Sequence, residues 1–329
     1  MAMRNREVIA AVGAGRMGRG IAIAFAYAGH QVHLIDAKER SDPQFENLSQ
    51  SALSEIAGTL KMLSGFGMLE ESEIDAVMSR INCHPLQDCV ASLAESDVIF
   101  EGVPETLEAK QKVLELITKY VTKTAIIAST TSTILSNALQ EFVGNPGRFL
   151  NAHWLNPAFL VPLVELSPGE KTDPQVTSRL KELLERIGKV PVVCAASPGY
   201  IVPRIQALAM NEAARMVEEG VASAEDIDKA TKYGFGFRFA VLGLLEFIDW
   251  GGGDVLYYAG NYLAASTGQD RFEPPQVIKD NMVNNRNGMR DKQGFLDYSD
   301  MDIPQFQQQK LKDFTDMLRH LDKMPLKAE

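Results

Sequence analysis

The chain has 329 residues, with 33 Lys plus Arg set against 43 Asp plus Glu, for a formal net charge of -10. Hydrophobic residues make up 45% and charged ones 23%, which is a globular composition at a length that asks for about two domains. The acidic balance excludes a nucleic-acid binder, because phosphate backbones need clustered Lys and Arg. No apolar run approaches the roughly 18–20 residues that span a bilayer, and the opening Met1-Ala-Met-Arg-Asn-Arg6 lacks an apolar signal core, so no membrane association or secretion is expected. Cys83, Cys89 and Cys194 cannot all pair with one another and form no Cys-x-x-Cys clamp. Reduced thiols in a cytoplasm are the expectation.

In chain order, Glu7–Val12 is a short apolar run rich in Val, Ile and Ala, as expected of a strand buried on both faces. Gly13-Ala-Gly-Arg-Met-Gly18 follows at once, Ile21–Ala28 supplies small apolar residues for a helix, and Gln31–Asp36 is the next strand. Residues 45–80 break the alternation and read as an inserted helical hairpin. Strand signals return at Asp97–Glu101, Ala125–Ala128 and Val190–Cys194, with helical patterns at Glu105–Tyr120 and Pro174–Ile187. Alternation of this kind predicts an α/β domain with a doubly wound parallel sheet. Composition shifts near Ser197-Pro-Gly199, so residues 1–196 form that domain and residues 197–329 an all-α one. The second domain carries helices at Ile201–Glu219, Ser223–Lys232, Val241–Phe247, Asp254–Ala265 and Gln305–Leu321. Gly251-Gly-Gly253 reads as a flexible turn, Met210 and Met216 as core filler, and Phe235, Phe237 and Phe239 as domain-interface packing. His30 and His33 are placed at the surface, and Lys323–Glu329 is expected to be loose.

Glycines at Gly-x-Gly-x-x-Gly spacing are weak evidence alone. Here Gly13, Gly15 and Gly18 come directly after a strand and open a helix, where backbone N–H groups and the helix dipole can hold a pyrophosphate. Met17 lies within the same turn and is assigned to the cofactor site with them. Asp36 closes the second strand, 18 positions after Gly18. Its carboxylate can accept hydrogen bonds from ribose hydroxyls and repels a 2′-phosphate, which favours NAD over NADP; Lys38 and Arg40 nearby soften that preference. The expected architecture is a Rossmann-type NAD-binding domain followed by a helical substrate and dimerisation domain.

His153, in Phe149-Leu-Asn-Ala-His-Trp-Leu-Asn-Pro157, sits among apolar residues, and Glu165 ends an apolar run twelve positions later. A lone histidine in such a place is more often a hydrogen-bonded core residue. A buried imidazole and a buried carboxylate each need a partner, however, and if they meet they form a general base whose tautomer the acid fixes. Alcohol dehydrogenation requires such a base, because the hydroxyl proton must leave as hydride transfers. Cys83-His84 with Cys89 lacks a fourth ligand for zinc, and no metal site is expected.

These motifs, with Glu101-Gly-Val-Pro-Glu105 and Lys110, Ala128-Ser-Thr-Thr-Ser132, Leu163-Val-Glu165 and Pro198-Gly-Tyr-Ile-Val202, resemble the 3-hydroxyacyl-CoA dehydrogenase family over about residues 7–300. The resemblance implies that His153 is the catalytic base, Glu165 its orienting partner and Ser132 a hydroxyl on the substrate's 3-oxygen. It further implies that Asn156 supports the geometry, that Glu105 and Lys110 contact the nicotinamide half of NAD, and that the chain is a homodimer working in fatty-acid metabolism. The sequence departs from the family in placing Pro203 where Asn is usual, which removes a side-chain partner for substrate, and in the bulky Trp154. Ser167-Pro-Gly-Glu-Lys171 and Tyr233-Gly-Phe-Gly-Phe-Arg238 are similar to branches acting on free hydroxy acids such as L-gulonate, carnitine or pyridine carboxylates. In those branches Arg238 would pair with a substrate carboxylate. The small-molecule substrate is therefore a hydroxyacyl-CoA, with a free hydroxy acid as the alternative. A non-catalytic NAD-binding structural or sensor protein is the third reading.

Overall fold

The computed structural model describes residues 6–325. Its strands are β1 (Ile9–Val12), β2 (Val32–Ile35), β3 (Ile81–His84), β4 (Val98–Glu101), β5 (Ile126–Ser129), β6 (Phe149–Trp154), β7 (Leu163–Pro168) and β8 (Val190–Val193). They form one sheet in the order β3-β2-β1-β4-β5-β6-β7-β8. Neighbours are parallel except β6 and β7, so the sheet is not uniformly parallel as expected. The reason lies in the connection 155–162, which is too short for the dozen or more residues that a parallel crossover needs. The chain must turn straight back, and in doing so it sets His153 opposite Glu165.

β1 is apolar throughout, and β4 and β5 are apolar up to their last residues, Glu101 and Ser129, because helices cover both faces. On one face, Ile9 and Ala11 of β1 pack with α1 (Arg16–Tyr27), α2 (Asp42–Gly65) and, later in the chain, α7 (Pro174–Arg186), through Ile21, Phe25, Ile56, Leu60, Leu180 and Leu184. On the other, Ala10 and Val12 pack with α4 (Cys89–Glu95) and α5 (Leu107–Tyr120) through Leu93, Val113, Leu114 and Ile117. Two helices of this domain are a single turn long, α3 (Ile74–Met78) and α6 (Ser136–Leu139). The insertion after β2 is thus one long helix and a short one. α2 starts where the Gln44 side chain reaches back to the Ser41 N–H at 3.2 Å, a capping-box contact.

α8 (Val202–Glu218) follows, and the fold divides within it, after Met210. The second unit holds α9 (Ala224–Ala230), a π-helical turn at Thr231–Gly236, α10 (Phe237–Phe239), α11 (Leu244–Gly251), α12 (Gly253–Thr267), α13 (Gln276–Val283) and α14 (Ile303–His320). The helix expected at Val241–Phe247 is interrupted instead, because Gly243 is the extended residue that starts α11. Gly251-Gly-Gly253 is not a flexible turn but a fixed joint between α11 and α12. Gly252 has φ +103°, and the Gly253 N–H donates to the Asn287 carbonyl at 3.1 Å. Nearby, buried Asp249 accepts from the N–H groups of Phe295 and Leu296, both at 2.9 Å, and from the Tyr298 hydroxyl at 3.2 Å. That clip gives the irregular segment a core without strands.

Met210 is exposed, not core filler. His30 and His33 are buried, contrary to expectation: His30 reaches the Glu7 carbonyl at 2.8 Å, and His33 meets His84 on the neighbouring strand. Phe235, Phe239 and Phe247 stack edge to face, and Phe237 packs on Phe314, all contacts within the second unit; Phe235 remains exposed. Residues 326–329 of the expected loose end lie outside the described residues. Among the described residues no helix is long and apolar enough to cross a membrane.

Candidate active site

The glycines divide by role. A side chain at Gly13, which has φ +112°, would place Cβ 2.6 Å from the Gly102 carbonyl oxygen, and one at Gly18 would lie 2.0 Å from that of Gly13. Both are therefore demanded by the protein's own packing. A Cβ on Gly15 would meet nothing within 4 Å. Packing does not explain that glycine, and the space beside it is open to a ligand. Gly15 also caps α1 without any side-chain hydrogen bond, which leaves N–H groups free for an anion. A cavity of about 750 Å³ opens there, lined by Gly13, Gly15, Asp36, Lys38, Arg40 and Val103. The open space and free donors at the helix start fit a dinucleotide pyrophosphate. Met17 does not line this cavity but packs against the core beneath it. Asp36 is buried at the end of β2, where its carboxylate is paired with the Arg40 guanidinium and accepts the Lys38 N–H at 3.2 Å. Arg40 thus already occupies the acid assigned to the ribose.

At the end of β4, fully buried Glu101 accepts the Lys110 ammonium at 3.0 and 3.1 Å, the Val103 N–H at 2.8 Å and the Ser129 hydroxyl. Lys110, itself buried, also lies 3.5 Å from Glu105. Glu105 takes the hydroxyls of Thr131 and Thr133 and the N–H groups of Ser132 at 3.1 Å and Thr133 at 3.0 Å. Burial alone would raise its carboxyl, but the two threonine hydroxyls and the Lys110 charge hold it below the ordinary carboxylate range. Lys110 is committed to two carboxylates, and it acts on the loop after β5 through Glu105. Glu101 was legible as part of a motif, yet nothing in the sequence showed that its carboxylate would turn inward to meet Lys110.

His153 and Glu165 are both buried and face each other across the antiparallel pair β6–β7, with Nδ1 to Oε2 at 2.8 Å. The other oxygen of Glu165 accepts the N–H groups of Ile201 at 2.9 Å and Val202 at 2.8 Å, where α8 begins. With Glu165 as acceptor, the imidazole proton is assigned to Nδ1, and Nε2 keeps its lone pair. Ser132 is exposed in the loop after β5, and Asn156 is exposed after β6, beside a cavity of about 340 Å³ shared with Arg16, Gly20 and Pro157. Tyr200, quoted in a motif but given no role from sequence, stacks on the His153 ring with centroids 5.0 Å apart and planes 18° apart. Arg238 is exposed in the second unit, 5.5 Å over the Phe247 ring, with no carboxylate partner among the described residues. No group of three or more His, Cys, Asp or Glu that could hold a metal occurs among them either.

A doubly wound sheet with a glycine turn after its first strand, matched by the NAD binding domain of a dehydrogenase family, defines an NAD-dependent oxidoreductase acting on a CH–OH group. The chain belongs to the 3-hydroxyacyl-CoA dehydrogenase family: the family's NAD binding domain matches residues 8–197 and its C-terminal domain residues 199–298. Among its relatives is the 5-formyl-3-hydroxy-2-methylpyridine 4-carboxylate 5-dehydrogenase of Mesorhizobium japonicum, 30% identical over 88% of this chain and 90% of that one. A probable 3-hydroxybutyryl-CoA dehydrogenase of Deinococcus radiodurans is 30% identical over 87% of this chain and 98% of that one. In structure, the chain is similar to a 3-hydroxyacyl-CoA dehydrogenase of Archaeoglobus fulgidus, with TM-score 0.76 and 30% identity over 97% of this chain and 100% of that one.

Proposed function

We propose that this chain interconverts the 3-hydroxy and 3-oxo forms of an acyl-CoA, with His153 as the proton-transferring base. The buried 2.8 Å contact between His153 and Glu165 carries this reading. NAD, when held by Gly13, Gly15, Gly18 and Asp36, supplies the hydride acceptor. In the oxidative direction His153 Nε2 takes the proton of the 3-hydroxyl. Glu165 orients the imidazole and faces the resulting imidazolium through one oxygen, while its other oxygen stays on the Ile201 and Val202 N–H groups. Ser132 steadies the 3-oxygen by hydrogen bond. Glu105 and Lys110 hold the loop that carries Ser132, and Asn156 lies on the loop that leaves the His153 strand.

A second reading, a free hydroxy acid as substrate, is favoured by the unpaired Arg238 and by the Mesorhizobium relative, whose name gives a pyridine carboxylate substrate. The three thiols, free in the structure, fit a reducing cytoplasm, and the exposed apolar face of α12 fits a homodimer. Following NADH absorbance with 3-hydroxybutyryl-CoA, longer hydroxyacyl-CoAs, L-gulonate, carnitine and hydroxymethyl-pyridine carboxylates separates the substrate classes. Turnover confined to the free acids moves the assignment to the second reading. His153→Gln is expected to lower kcat by about 10²–10⁴ with the Kd for NADH unchanged, and wild-type turnover in that variant refutes the base assignment.

A further inference from the structure

We propose that Tyr200 is a positioning residue that fixes Ser132 and His153 relative to one another; the inference rests on the catalytic reading of those two residues given above. Tyr200 is buried and has φ +44°, a left-handed conformation that a bulky aromatic residue rarely adopts. A ring needed only to fill space could sit on relaxed backbone and would need no hydroxyl. Here the hydroxyl donates to the Thr131 carbonyl at 2.9 Å and accepts from the Asn151 amide at 3.0 Å. The Thr131–Ser132 peptide is thereby clamped at both ends, its carbonyl by Tyr200 and its Ser132 N–H by Glu105 at 3.1 Å.

The ring face of the same residue lies against the His153 imidazole at 5.0 Å and 18°, which limits rotation of the base about its side-chain bonds. Asn151 lies two residues before His153 on β6, so it shares the strand face that carries the base. It is anchored in turn by the Ile134 carbonyl at 2.9 Å. Immediately after Tyr200, the N–H groups of Ile201 and Val202 hold Glu165. One three-residue segment thus touches the base through a ring, the orienting acid through two N–H groups, and the Ser132 loop through a hydroxyl. The left-handed turn at Tyr200 is what lets the ring and the two following N–H groups serve adjacent partners.

The test is a double-mutant cycle. Tyr200→Phe keeps the ring and removes the hydroxyl, so kcat is expected to fall about tenfold while the Kd for NADH holds. Combined with Ser132→Ala, the same substitution is expected to cost less than about twofold, because its effect runs through Ser132. Tyr200→Leu also removes the stacking, with a further loss of about tenfold that persists beside Ser132→Ala but disappears beside His153→Gln. Equal cost of Tyr200→Phe in both backgrounds, or no cost in either, overturns the proposal. Wild-type turnover in Ser132→Ala instead overturns the catalytic reading, so the two failures are told apart. If Tyr200→Leu does not fold, Asn151→Ala offers a milder loosening of the same hydroxyl, and its effect must likewise shrink beside Ser132→Ala.

Discussion

Gly15 and Gly18 look alike in the sequence and stand three residues apart, yet their surroundings differ: open space at one, a carbonyl in close contact at the other. At Gly18 a methyl group would overlap the Gly13 carbonyl, in a turn where neither backbone segment has room to yield. Overpacking of this kind costs about 1–3 kcal/mol, and Gly18→Ala is expected to lower the Tm by about 3–10 °C. At Gly15 the methyl would enter open space, where only a bound dinucleotide would meet it. Gly15→Ala should therefore keep the wild-type Tm in a thermal melt while weakening NADH at least about tenfold in a fluorescence titration, since a backbone N–H can no longer approach the pyrophosphate closely. A loss of Tm at Gly15 with NADH affinity intact would reverse these roles.

Elements were legible where their apolar pattern was long or their breakers strong: β1, the glycine turn, α1 and α5 all announce themselves. β3 escaped notice because Ile81-Asn-Cys-His84 is four residues at the sheet's edge with a single fully apolar buried position, too brief for a period to show. The His153–Glu165 spacing was visible, but its cause, an antiparallel return across β6–β7, was not, since residue spacing does not encode strand direction. Tyr200 was invisible as a site residue because stacking and a left-handed turn arise only once distant segments meet. His33, expected at the surface, instead meets His84 across the β2–β3 edge. His33 Nδ1 lies 2.9 Å from His84 Nε2, and His33 Nε2 lies 2.7 Å from Glu95. Burial pulls both imidazoles below their ordinary value; Glu95, and for His84 also Asp88, oppose this without overcoming it. In the unfolded chain these groups take up protons near pH 6.5, while the folded ones stay neutral to lower pH. Stability is therefore complete above about pH 6.5 and is lost as pH falls below it. Thermal melts between pH 7.5 and 5 should show a falling Tm, and His84→Gln, which can still accept or donate to His33, should flatten that slope. An identical slope in the variant would place the titration elsewhere.

At the scale of the whole molecule, α12 presents an exposed apolar face. Val255, Tyr258 and Tyr262 recur at helical spacing along one face and are 59%, 65% and 71% exposed, an apolar stripe that a water-facing helix does not carry. A second copy of the chain is the simplest cover, because a two-fold contact lets one surface satisfy itself. The wild-type protein is then expected to sediment at twice 36.2 kDa at micromolar concentration. Tyr258→Glu with Tyr262→Glu should bring it to the monomer mass, since burying two carboxylates in an apolar contact is costly. The glycine turn, Asp36, Glu105, Lys110, His153 and Glu165 all lie before Met210, in the unit that does not contain α12. NADH affinity of the monomeric variant should accordingly match wild type, which separates a loss of assembly from a loss of fold. A wild-type chain that sediments at 36.2 kDa across that range leaves α12 uncovered by a second copy and sinks the dimer.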